Sequence, residues 1–259
     1  MGQAATTFQL PYFIERGSGP PLLLIHGLMV TGEMFEPAAL NSLAARHRLI
    51  VPDLRGHGRS RHLGPPYTTR QLALDLSRLL DHLGIQSAAI IGYSEGGAIA
   101  QQLVLDYPDK CERLVLACTF AYNMASISEW VEGKIAPYMI DVIGLRRFAK
   151  LGVRMTRKQM GEERAERMAR LIVDQDQKLM VNAWRETMAF DSRQRLGEIT
   201  CATLIIAGSK DIAVPIHHAR MLHEGIHGSE LVVLEGADHM LLWTRTEDFL
   251  RIVEEFLGH

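Results

Sequence analysis

Three polar residues far apart in the chain have the types that acyl transfer needs: a serine to attack a carbonyl, a histidine to take its proton, and a carboxylate to orient the histidine. The serine is Ser94, inside AAIIGYSEGGAIAQQL at residues 88–103. There an apolar, strand-like run stops at Gly-Tyr-Ser-Glu-Gly-Gly and resumes as a helix-like pattern with no intervening loop. A G-x-S-x-G at so tight a strand-to-helix turn predicts an elbow that lifts one hydroxyl to the end of a strand. Gly92 and Gly96 lack the Cβ that would clash where strand and helix meet. The bare pattern is weak, and Ser94 could simply cap the helix; its place between an apolar strand and a helix is what points to chemistry.

The base and the acid come later in the chain. Asp211 follows a strand-like run in ATLIIAGSKDIAVP, and His239 follows the next one in ELVVLEGADHM. Asp238 competes for the acid role, but Asp211 has the separate strand end that the geometry requires. His217, His218 and His223 lie on one helical segment without the i, i+4 spacing of a helical zinc pair, so no metal is expected there. VPDLRGHGRS lacks both the P-loop and the dinucleotide-binding pattern and predicts a tight structural loop held by Asp53 and Arg55.

Positioning these groups takes a sheet with its connections in register. Six runs predict strands: PLLLIHG, HRLIVPD, AAIIGY, RLVLACT, ATLIIAG and ELVVLEG. Between them, helical spacing covers about 34–45, 69–83, 95–107, 215–225 and 244–257, with Thr68 or Thr69 as the cap of the second. This alternation is the signature of a mostly parallel α/β sheet flanked by helices. The rhythm breaks between Thr119 and Thr200, where RKQMGEERAERMARLIV and DQKLMVNAWRETMAF show apolar residues at helical spacing. The stretch is too long for an ordinary connection and predicts a helical cap at 120–197 inserted into a core of 1–119 and 198–259. Its Trp130, Tyr138, Trp184 and Phe190 either line an acyl pocket or pack the cap helices together.

In order along the chain, LLLIHG, VPDLRGHGRS, GYSEGG, FDSRQRLGEIT, LIIAGSKDIAVP and GADHM resemble the landmarks of the α/β-hydrolase fold superfamily over nearly its whole length. The chain is most similar to its small esterase, enol-lactonase, cofactor-free haloperoxidase and carbon–carbon bond hydrolase branch. The resemblance implies Ser94 as nucleophile, His239 as general base and acid, and Asp211 as orienting carboxylate. It also implies an oxyanion hole from the backbone N–H groups of Leu28 and Glu95, worth ~3 kcal/mol each. Dehalogenase and epoxide hydrolase relatives carry aspartate where this chain has Ser94. Related elbows commonly carry an uncharged residue at position 95, so Glu95 is expected to turn aside and pair with His26, Arg55 or His57. The expected activity is hydrolysis of a carboxylic ester or lactone through an acyl-enzyme, without cofactor or metal. A carbon–carbon hydrolase of ring-cleavage products and a slow-turnover ligand receptor are the alternatives.

Composition bounds the rest. With 259 residues, 47% hydrophobic and 22% charged, the chain can bury a large core. A net charge of −2 with mixed signs offers no footprint for nucleic acid and no polybasic membrane patch. MGQAAT superficially resembles a myristoylation signal without other membrane-directing features, and a cytoplasmic protein is expected. Cys111, Cys118 and Cys201 show no CxxC spacing and predict buried, inert thiols. Oligomeric state is not legible.

Overall fold

The computed structural model describes residues 9–258; the MGQAAT segment lies outside the described residues. In chain order the elements are β1 (Phe13–Arg16), β2 (Pro21–Ile25), α1 (Pro37–Ala44), β3 (Arg48–Pro52), α2 (Thr69–His82), β4 (Ala88–Tyr93), α3 (Glu95–Asp106) and β5 (Cys111–Ala117). Four helices follow: α4 (Ile127–Ile143), α5 (Leu145–Met160), α6 (Glu162–Val173) and α7 (Gln177–Ala189). The chain ends with β6 (Ala202–Gly208), α8 (Ile216–Gly225), β7 (Glu230–Leu234), α9 (Leu241–Thr244) and α10 (Thr246–Leu257).

The strands form one seven-stranded sheet in the order β1-β3-β2-β4-β5-β6-β7. All neighbours are parallel except β1, which runs antiparallel to β3 at the edge. All six residues of β4 are buried, as a parallel strand covered on both faces must be. Alternate residues feed two cores. Leu22, Leu24, Ile91, Val115 and Ile206 pack on one face with Leu40, Phe249 and Val253 from α1 and α10. Leu23, Ile25, Ile90, Leu116 and Ile205 pack on the other with Leu76, Leu103 and Leu222 from α2, α3 and α8. Each such side chain contributes about 1.5–3 kcal/mol by leaving water. Thr68, rather than Thr69, caps α2 by accepting from Gln71 N–H at 3.2 Å.

Helices α4 to α7 fill the expected break between β5 and β6. Where the chain leaves and re-enters the sheet its two segments lie side by side, bridged at Tyr122 and Asp191 and by Ser192 N–H donating to Ala121 O at 2.9 Å. The inserted helices touch the rest of the molecule through apolar as well as polar groups: Met160 and Met168 join the first of the two cores, and Met180 and Val181 pack with Met29. Arg164 donates to Trp243 O at 2.6 Å and reaches Glu36 at 3.1 Å, and Gly58 N–H donates to Gln175 Oε1 at 2.8 Å. The outer face of α4 exposes Ile127, Trp130, Ile135, Tyr138 and Val142. Neither Trp130 nor Tyr138 therefore packs between helices. Trp184 does, edge-on to Phe148 and donating to Gly133 O at 3.2 Å, while Phe190 is buried against Phe120. Among the described residues no helix is long and apolar enough to cross a membrane. All three cysteines are free thiols, with the sulfurs of Cys111 and Cys201 3.7 Å apart.

Candidate active site

Ser94 sits between β4 and α3 with φ 55° and ψ −122°, a left-handed conformation that costs an L residue on the order of 1–3 kcal/mol. Its surroundings hold it there. Ser94 N–H donates to Ala117 O at 2.9 Å, and Ser94 O accepts from Gly97 N–H at 2.9 Å and Thr119 Oγ1 at 2.6 Å. A Cβ on Gly92 would lie 2.5 Å from Gly96 O, and one on Gly96 only 2.2 Å from Ile25 O. Both glycines are therefore required by packing. The Ser94 side chain makes no capping bond to α3, so its hydroxyl is free for another partner.

That partner is His239. Its Nε2 lies 3.1 Å from Ser94 Oγ, and its Nδ1 lies 2.8 Å from Asp211 Oδ2. With the Nδ1 proton donated to the carboxylate, Nε2 presents its lone pair to the serine hydroxyl. Asp211 is buried, and its other oxygen accepts from Ala213 N–H at 2.9 Å and Val214 N–H at 2.8 Å. The carboxylate is thus fixed in the loop after β6. Asp238 instead accepts from Met240 N–H at 3.0 Å, which fixes the turn that carries His239. Tyr93 hydroxyl donates to His239 O, a tie from β4 to the same turn.

The segment after β2 passes beside the serine: a Cβ on Gly27 would lie 3.3 Å from Ser94 Cβ. Two buried histidines prop this segment. His26 Nε2 accepts from Leu54 N–H at 2.9 Å while its Nδ1 donates to Gly27 O at 2.8 Å. His57 Nε2 accepts from Met29 N–H at 3.4 Å while its Nδ1 donates to Arg55 O at 3.2 Å. Each ring uses one donor and one acceptor, the pattern of a neutral imidazole. Burial enforces that state, lowering His26 to about 4 and His57, which also feels His26, to about 3. Leu28 N–H lies in this propped segment. Glu95 N–H opens α3 and has no partner within the helix.

The Glu95 side chain corrects one expectation. It is turned aside, but none of the three expected partners holds it: His26 and His57 prop the Gly27 segment, and Arg55 is paired with Asp75 at 2.5 and 2.8 Å. Glu95 Oε1 instead meets Thr187 Oγ1 on α7, and Oε2 is buried without a partner. Burial pushes its pKa up to about 7, opposed by the Thr187 bond. Thr187 Oγ1 also lies 2.8 Å from Ala183 O, and one hydroxyl proton serves only one of these acceptors. A protonated Glu95 donating to Thr187, which in turn donates to Ala183 O, satisfies both. Asp53, as expected, holds its loop by accepting from Gly32 and Arg59 N–H, each at 3.0 Å.

A model of the alpha/beta hydrolase fold family matches residues 20–246. A putative carbamate hydrolase, RutD, from Azorhizobium caulinodans is 28% identical, covering 95% of this chain and 94% of its own. Among solved structures, an esterase from Exiguobacterium antarcticum superposes with a TM-score of 0.88 at 25% identity, over 96% of this chain and 95% of its own. An enol-lactonase from Burkholderia xenovorans LB400 superposes at 0.82 with 26% identity, over 96% of each chain.

Proposed function

The chain belongs to the alpha/beta hydrolase fold family, and on that premise we propose that it is a serine hydrolase cleaving a carboxylic ester or lactone. The observation that carries the reading is the continuous line from Ser94 Oγ through His239 to Asp211, at 3.1 and 2.8 Å. Both contacts are within the range of catalytic hydrogen bonds.

In the proposed cycle Ser94 Oγ attacks the carbonyl carbon as its proton passes to His239 Nε2. Asp211 Oδ2 keeps the Nδ1 proton in place and stabilises the imidazolium. The oxyanion is received by Leu28 and Glu95 N–H. Collapse expels the alcohol oxygen, which takes the proton from His239 and leaves an acyl ester on Ser94. Water, deprotonated by His239, repeats the attack and releases the acid. The strained backbone of Ser94 supports this reading, since such strain persists where a side chain must be aimed. The esterase and enol-lactonase likenesses support the same substrate class. We place the cap at 120–197 over a core of 1–119 and 198–259, so that the acyl pocket lies between them.

The test is multiple-turnover hydrolysis of a p-nitrophenyl acyl series and of simple lactones, with circular dichroism on each protein. Ser94→Ala is expected to stay folded and lose turnover by ~10⁴-fold or more. Equal turnover in both proteins would remove Ser94 from the mechanism, and absence of turnover in the native chain would sink the ester and lactone assignment.

A further inference from the structure

The three histidines of α8 have the wrong spacing for a helical metal pair, but folding supplies a ligand from another part of the chain. Glu129, in the first turn of α4, meets His217 and His218, in the first turn of α8. Glu129 Oε1 lies 2.9 Å from His217 Nε2 and 3.2 Å from His218 Nε2. All three donor atoms fall within 4.8 Å of one another. Around a tetrahedral zinc with ligands at ~2.0–2.1 Å, neighbouring ligand atoms are ~3.3 Å apart. Both distances from Glu129 are thus already close to an edge of a coordination tetrahedron.

The surroundings favour the same reading. Glu129 Oε2 accepts from Ser126 N–H at 2.9 Å, which orients the carboxylate and leaves Oε1 turned toward the imidazoles. Such outer bonds are what aim metal-binding carboxylates. The His218 ring is fully buried, edge-on to Phe120, and has no room to swing away. His217 is 44% exposed and leaves the ion a way in.

We infer that Glu129, His217 and His218 form a binding site for a zinc-class divalent ion, bracing the inserted helix α4 against core helix α8. Two imidazole nitrogens and one carboxylate oxygen suit zinc, cobalt or nickel rather than the all-oxygen preference of calcium or magnesium. His218 Nδ1 has no hydrogen-bond partner, so the metal-bound ring lacks the outer acceptor that strengthens such ligands by 10–100-fold. Affinity is therefore expected to fall about 10–100-fold below that of a site with this acceptor. The site shares no residue with the Ser94 line and does not rest on the hydrolytic assignment.

The experiment uses the full chain, stripped with EDTA, titrated calorimetrically with ZnCl2 and melted with and without it. One ion per chain is expected, with a melting point raised by roughly 5–10 °C at a hundredfold excess over the dissociation constant. Cobalt in place of zinc should give the visible absorption of a tetrahedral site. His217→Ala, at an exposed position that leaves folding intact, is expected to weaken binding at least tenfold and abolish the melting shift. His82→Ala, on the surface at the end of α2, should change neither. Absence of binding below 100-fold molar excess, or binding untouched by His217→Ala, would overturn the site.

Discussion

The Glu95 carboxyl makes the nucleophile elbow sensitive to a single buried proton. Below pH 4.5 the group is neutral both folded and unfolded, so it imposes no penalty. Between there and about 7 only the unfolded chain gains by ionising, and folding stability falls as pH rises. Above 7 the loss is constant, at most about 3 kcal/mol. His26 and His57 act in the opposite sense. Above 6.5 they are neutral in both states, and as pH falls toward about 4 and 3 only the unfolded chain takes up their protons. Stability is therefore expected to peak near neutrality. Urea unfolding of Glu95→Gln beside the native protein isolates the carboxyl: the variant's relative stability should grow from pH 4.5 to 7 and then level off. A difference independent of pH would mean that Glu95 is not held neutral.

At the scale of elements, the elbow depends on how closely α3 approaches β2. Gly96→Ala would drive a Cβ to within 2.2 Å of Ile25 O, and neither backbone can yield without breaking the β2–β4 ladder. A loss of at least 3 kcal/mol, or no soluble folded protein, is expected from chemical denaturation; a loss under 1 kcal/mol would show that α3 is free to shift. Much of this architecture was legible in the sequence. Five of the six expected strands are continuous apolar runs because both sheet faces are covered there, edge strand β7 keeps its run half-exposed, and β1 escaped notice because FIER is a four-residue edge strand, half-buried at best. The meeting of Ser94, Asp211 and His239 was legible because each follows a strand, and a parallel sheet gathers those ends at one edge. The Glu95–Thr187 contact and the meeting of Glu129 with His217 and His218 were not. Their partners are 92 and about 90 residues apart, joined by helix docking that no local periodicity encodes.

For the molecule as a whole, the contrast lies between a sheet covered on both faces and inserted helices buried on one side. The core clusters fix the sheet from both faces, whereas α6 and α7 bury one side only, through Met168, Met180 and Val181 beside Arg164 and Thr187. Half-exposed ion pairs such as Arg164–Glu36 add only about 0–1 kcal/mol. The inserted helices should therefore open without global unfolding. Native-state amide exchange is expected to show α6 and α7 exchanging at lower free energy than β4 and β5; uniform protection would contradict this. The bridge between the two ends of the inserted segment, Tyr122 beside Asp191, carries a historical consequence. A segment whose two ends emerge side by side can be exchanged for another of different length, because closing the gap between adjacent ends costs little chain entropy. Descent can then replace the helices wholesale and leave the chemistry at the strand ends undisturbed. Any newcomer must cover the core that Met160 and Met168 now cover and give the buried acid at position 95 an acceptable neighbour.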